Sequence, residues 1–217
     1  MTDVQSDRLT AGSGILAAAL FVAGFVLIGA DAPTSDATRS EVVATYADDA
    51  TNSRQALGVL LTGLGSICFL PFLGHVRRVL RDRAGADSIL PATAFAGGIV
   101  LVGGLFTGAV LSSAVSAGSY FDAHRVDADL AMTTAAAGFY LNGFAAMAGG
   151  ALIVALAGVA WQSELLPRWL TVLGFVVAAA SIPASLLGMW VPVEAPWIAF
   201  AAGLLGRRPA LSEAYAS

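Results

Sequence analysis

Apolar positions in this chain run on for longer than the helix or strand periods of a water-facing domain require. Five stretches, 12–30, 56–73, 89–111, 131–160 and 170–189, contain no Asp, Glu, Arg or Lys. A helix crossing the roughly 30 Å hydrocarbon core of a bilayer needs about 20 mostly apolar residues, so each stretch is expected to span. The fourth is long enough to tilt or to project beyond the bilayer. A sixth stretch, 191–206, is shorter, carries Pro192, Glu194 and Pro196 near its start, and is free of charge only from Ala195 onward. At 1.5 Å per residue it reaches roughly 24 Å. It is expected to cross as well, with a re-entrant or interfacial segment as the alternative. The fold class expected is all-α: one integral membrane bundle of about six transmembrane helices over residues 1–217.

Composition agrees with the pattern. The chain is 57% hydrophobic and 12% charged, with a mean hydropathy of +0.78. Soluble domains carry roughly a quarter charged residues, so this chain has too few to cover a water-facing surface. A net charge of −4 argues against a nucleic-acid partner, which demands a basic face, and none is expected. The single cysteine, Cys68, lies within an apolar run and is read as a small buried hydrophobe. Ala30-Asp31-Ala32 resembles a signal cleavage site. Pro33 follows it directly, however, and the leader has Asp3 and Asp7 beside a single Arg8, so an uncleaved first helix is expected.

Arginine placement orients the spans. Arg77, Arg78, Arg81 and Arg83 lie together between the second and third stretches. With that basic loop in the cytoplasm, Arg8, Arg168, Arg207 and Arg208 also fall inside, eight of the 11 basic residues; only Arg39, Arg54 and Arg125 fall outside. The positive-inside rule expects this asymmetry. Both termini are therefore expected in the cytoplasm of a protein of the cell (inner or plasma) membrane. Trp161, Trp169, Trp190 and Trp197 flank the ends of spans and are expected to anchor the bilayer interfaces.

Outside the spans, Thr38-Arg39-Ser40-Glu41 fits the S/T-x-x-E capping box. It predicts a short helix in the first outer loop, with Val42, Val43, Tyr46 and Ala50 on one face. That helix either lids the outer end of the bundle or lies on the membrane; a solvated connector is the alternative. The loop Tyr120-Phe121-Asp122-Ala123-His124 continues to Asp127 and Asp129. One histidine among aspartates is a poor metal signal, and no metal or other cofactor is expected. His75 and His124 fall on opposite sides of the bilayer and cannot ligate one haem. Gly104-Leu105-Phe106-Thr107-Gly108, with Gly97, Gly98, Gly103 and the pair Gly149-Gly150, reads as helix-packing surface. Such faces also suit a homo-oligomer or a membrane partner besides the lipid bilayer itself. Pro71 and Pro183 are expected to kink their helices.

The polar residues expected at depth are Ser66, Thr107, Tyr140, Asn142 and Ser181. Asn142 with Tyr140, supported by Thr107 and Ser66, is the candidate interior site. No charge is expected at the midplane, which argues against ion coupling, and no nucleophile–base, zinc or P-loop pattern occurs, so no catalytic residue is assigned.

Leu166-Pro167-Arg168-Trp169-Leu170-Thr171-Val172-Leu173-Gly174 resembles a stretch opening the fifth span of a family of small six-span bacterial membrane proteins of unknown function. The resemblance implies the six-span architecture with an outer helix after the first span, and it implies no activity. Three functional readings follow, in order. The first is a noncatalytic structural or accessory membrane component. The second is a small transporter or permease for a neutral or apolar solute. The third is a membrane enzyme acting at the cytoplasmic face through His75.

Overall fold

A computed structural model describes residues 3–30, 32–33, 36–85, 87–119, 127–187 and 190–206. The helices are α1 (Asp3–Gly29), α2 (Arg39–Ala47), α3 (Asp49–Ala84), α4 (Leu90–Ser112), α5 (Ala114–Ser119), α6 (Ala128–Ser163), α7 (Arg168–Leu186) and α8 (Trp190–Leu205). The protein is an all-α membrane bundle. Five helices, α1, α3, α4, α6 and α7, are long and apolar enough to cross a bilayer. At 16 residues, α8 falls short of that length.

Local chemistry sets the boundaries. The Thr38 N–H donates to Glu41 Oε2 at 2.7 Å and the Glu41 N–H donates to Thr38 Oγ1 at 3.4 Å, so the capping box that opens α2 is complete. Asp48 caps α3, accepting from the Thr51 N–H at 3.0 Å and the Thr51 hydroxyl at 2.8 Å. Ala50, expected on the face of α2, therefore belongs to α3. Asp127 caps α6 through the amides of Asp129 and Leu130. Pro167 directly precedes α7, where its missing N–H costs nothing. Pro71 lies inside α3 and Pro183 inside α7.

One sequence expectation changes here. The stretch with Arg77, Arg78, Arg81 and Arg83 is not a loop but the last three turns of α3, which runs 36 residues to Ala84. Leu and Arg are sound helix formers, and no breaker intervenes until Gly85, which takes φ 84°. The Arg77 guanidinium lies 5.0 Å from the centre of the Phe95 ring, and Arg83 Nη1 donates to the Ser163 carbonyl at 3.4 Å. These contacts tie α3 to α4 and α6 at the arginine end of the bundle.

The six principal helices close a ring in the order α1, α3, α4, α6, α7, α8, with α8 packed back on α1. Small residues let the backbones approach. On α4, Gly97 faces the Ala148 carbonyl, Gly104 faces Ala145 and Gly108 faces Asn142; Gly98 receives Leu73. On α6, Gly149 faces Leu101 and Glu194, and Gly150 faces Ala178. These surfaces, candidates for self-association from sequence alone, are occupied within the chain; Gly103 of the run has open space around it. Phe21, Phe69 and Phe72 stack through the centre, with centroid separations of 5.9 and 5.3 Å.

At the opposite end from the arginines, α2 lies across the bundle as a cap. Val42 and Tyr46 are buried against Ala128 and Ala131 of α6, while Val43 faces outward. The Asn52 side-chain amide donates to the Tyr46 carbonyl at 3.0 Å, and Arg39 forms an exposed ion pair with Asp129.

Candidate functional site

Beneath α2 lies a cavity of about 530 Å³, within the range of roughly 300–1,000 Å³ usual for small-molecule sites. Phe21, Phe25 and Ile28 of α1 form one wall, and Leu105, Ala109 and Ser112 of α4 another. Met132, Ala135, Ala136, Phe139 and Asn142 of α6 line the far side, while Gln55 and Thr62 of α3 and Tyr46 of α2 complete it. Ala109, Ala135 and Ala136 are too small to fill the space between the helices.

The reason for the void is also topological. α7 has 19 residues and α8 has 16, against 36 for α6. Near the end of α7, the Ser185 carbonyl would stand 3.3 Å from a Cβ at Gly143 of α6, next to Asn142. The two short helices therefore stop at the cavity floor and contribute nothing to its described lining. Above that level α1 and α6 face each other across the cavity without packing along one another. Ala136 and Phe139, on that side, are exposed. Among the described residues, the side between α1 and α6 is the least closely packed part of the chamber wall.

Its polar groups are few and arranged by depth. At the floor, Asn142 Oδ1 is buried against Gly108 without a hydrogen-bond partner. Thr62 donates to the Gly58 carbonyl at 2.9 Å, and Gln55 accepts from the Ser116 hydroxyl. At the α2 end the Tyr46 phenol is buried beside Gln55. Burial pushes its pKa above the usual tyrosine value, partly offset by the Gln55 hydrogen bond. An apolar chamber with an amide at its floor and a phenol–amide pair at its roof accommodates a largely apolar molecule carrying one or two neutral polar groups.

Of the residues expected to form this site, only Asn142 lines it. Tyr140 is 62% exposed and points away from the bundle, its ring edge-on to Phe139. Thr107 is exposed and donates to the Gly103 carbonyl at 2.8 Å, and Ser66 is buried and donates to the Thr62 carbonyl at 2.9 Å. Trp161 and Trp169 are exposed, as interfacial rings should be, but Trp197 is not. It is buried between α7 and α8, with Nε1 donating to the Leu170 carbonyl at 2.9 Å. The indole has a hydrogen-bond acceptor inside the bundle and so has no need of the interface. The Trp190 side chain, the loop with His124 and the pair Arg207-Arg208 lie outside the described residues.

Sequence reasoning missed Glu194. It lies near the start of the sixth stretch and was assigned no role, yet it is 2% exposed and neither carboxylate oxygen has a hydrogen-bond partner. It lies against Gly149 of α6, with Leu101 of α4 and Ser181 of α7 beside it. Leu101 is eleven residues from either end of α4, so the carboxyl is at mid-bundle. The expectation of an uncharged interior fails at this position. The available signal was the apolar sequence on both sides of Glu194, which leaves a helix at that point no polar face to turn outward.

These features define a helical membrane bundle with an apolar chamber and a buried carboxyl below it. No protein-family model, no curated protein and no solved structure matches the chain.

Proposed function

We propose that this chain is a multi-pass protein of the cell membrane that takes up an apolar or weakly polar solute from the bilayer, in the manner of a small permease or carrier, and performs no covalent chemistry on it. The carrying observation is the chamber of about 530 Å³ enclosed by α1, α3, α4 and α6, with Asn142 in its lining. A volume of this size, lined by apolar side chains with a few convergent polar groups, has the form of a small-molecule site. The enzymatic reading loses its residue: His75 is 5% exposed and its Nδ1 lies 3.2 Å from Arg78 Nη2, so it is not presented to headgroups.

The arginine distribution supports an N-in, C-in arrangement, with α8 as the sixth crossing and the chamber in the outer half of the membrane. The Pro167-Arg168-Trp169-Leu170 stretch supports a place among small six-span membrane proteins. Reporter fusions after Ser217 test the topology: cytoplasmic activity is expected, and periplasmic activity refutes the sixth crossing.

The chamber is tested by binding. Phe25→Trp places a fluorophore in its wall, and a brominated long-chain alcohol serves as the probe in proteoliposomes. Saturable quenching is expected, and it should disappear when Ala109→Phe fills the space. Quenching that rises linearly with probe, and equally in both proteins, reports only partition into lipid and overturns the reading.

A further inference from the structure

Glu194 has no role in the chamber, and its surroundings are unlike those of any other carboxyl described. α1, α6 and α7 pack against α8, and α4 contributes Leu101. The buried residues of α1 alongside are Ala11, Ala17, Ala18 and Phe21, none of them ionisable. α6 offers Gly149 and α7 offers Ser181, whose hydroxyl donates to the Val177 carbonyl at 2.9 Å. From Leu9 to Gly29, through all of α4, from Leu130 to Ala160 and from Trp169 to Leu186, the chain has no Asp, Glu, Arg, Lys or His. The nearest candidate on α3 is His75, one turn beyond Phe72, and Phe72 itself lies at the level of Ala202, two turns along α8 from Glu194. Among the described residues, no cation faces the carboxyl from any helix around it.

An ionised carboxylate in apolar surroundings without a partner costs far more than the bundle's packing can offset. Ionisable side chains kept at membrane depth are rare, and they mark ion, proton or substrate paths. A metal cation would require several oxygen ligands. Glu194 has one neighbouring hydroxyl already donating elsewhere, so a proton is the one cation this site can hold as built.

We propose that Glu194 is an intramembrane proton-binding site: in the closed bundle it is a carboxylic acid, and release of its proton requires α8 to move away from Gly149. Asn142, whose Oδ1 lacks a partner at the floor, stands seven residues above Gly149 on α6, about 10 Å along the axis. The absence of a side chain at Gly149 is what makes room for the acid, since a Cβ there would stand 2.5 Å from Glu194 Oε2. This inference holds whether or not the chamber carries a solute, because it concerns only the protonation state of one side chain.

The test is infrared spectroscopy of the intact protein in ether-linked lipids, which contribute no ester carbonyl. At neutral pH, where exposed carboxyls are ionised, a carboxylic-acid C=O band is expected; it should shift in D₂O and be lost in Glu194→Gln. Absence of the band in the wild-type protein overturns the proposal, as does a band that persists unchanged in Glu194→Gln. A folding defect in the variant does not remove the test. Dicyclohexylcarbodiimide, which reacts with protonated carboxyls in apolar sites, is applied to the wild-type protein and the adduct is located by peptide mass mapping. Bleaching of the band in step with an adduct at Glu194 supports the assignment. Bleaching with adducts only elsewhere refutes it.

Discussion

Gly174→Ala offers the most searching test of how α7 and α8 are held together. In the native bundle Trp197 lies flat against Gly174. A methyl there would stand 2.7 Å from Cζ2, 3.0 Å from Cε2 and 3.1 Å from Nε1 of the indole. Ordinary carbon contacts need about 3.5–4.0 Å, so the ring must retreat by most of an ångström. The Nε1–Leu170 bond, now 2.9 Å, is then stretched beyond hydrogen-bonding range. Overpacking of this kind costs about 1–3 kcal/mol, and an interhelical hydrogen bond in a membrane protein is worth about 0.6 kcal/mol, at most about 1.7. Set against alanine's helical advantage of about 1 kcal/mol, the expected net destabilisation is about 1–4 kcal/mol. In a Trp197→Ala background the obstruction is gone, and alanine's advantage over glycine in a helix, about 1 kcal/mol, should make the same substitution neutral or mildly stabilising. A double-mutant cycle measured by reversible unfolding in mixed micelles isolates this coupling. Equal costs in the two backgrounds would show that the indole is not what Gly174 accommodates, and the account of the α7–α8 contact would be wrong.

Other predictions concern the α2 cap, the α4–α6 seam and the carboxyl. Hydrogen bonds from Thr38 and Thr51 hold the pKa values of Glu41 and Asp48 below their ordinary values, so the caps are fully stabilising above the unfolded carboxylate range and weaken as pH falls through the lowered folded values; amide exchange in 39–52 should accelerate there, with the core unchanged. Gly138→Ala should cost about 1–3 kcal/mol in the same micelle assay, because the methyl meets the Gly108 carbonyl at 2.6 Å, and backbone cannot yield as a side chain does. Arg39→Ala should change stability by less than about 1 kcal/mol, since its pair with Asp129 is exposed on both sides. Gly149→Ala should slow carbodiimide labelling of Glu194 by displacing the carboxyl, whereas Gly103→Ala, which meets open space, should leave the labelling rate unchanged.

The spans were legible because a charge-free run of twenty residues has few alternatives to a membrane helix, and the capping box because it acts over four residues. What depends on neighbours was not. Tyr140 and Asn142 were grouped as one site, yet residues two apart on a helix point about 200° from each other. One faces the chamber and the other faces out, and that much could have been read from spacing. Trp197 was assigned to the interface on its position near a span end; its burial depends on Gly174 and Leu170, more than twenty residues earlier in the chain. Glu194 escaped for a similar reason. Its place beside Pro192 and Pro196, near the start of the stretch, put it at a span end, and only the placement of α8 against Gly149 shows that the acid points inward. The chamber itself had no sequence signature, because it arises from the difference in length between α6 and the α7–α8 pair.

That difference in length bears on the lipid as well. Helices of 19 and 16 residues measure roughly 28 and 24 Å, less than an average hydrocarbon thickness, and a bilayer meeting so short a segment thins to match it. On the six-span arrangement proposed above, the leaflet beside α7 and α8 would be drawn toward the hairpin, and bulk solvent with it. Acyl chains would be at their most disordered at that dimple, and under the proposed permease reading this is where a solute would leave the lipid.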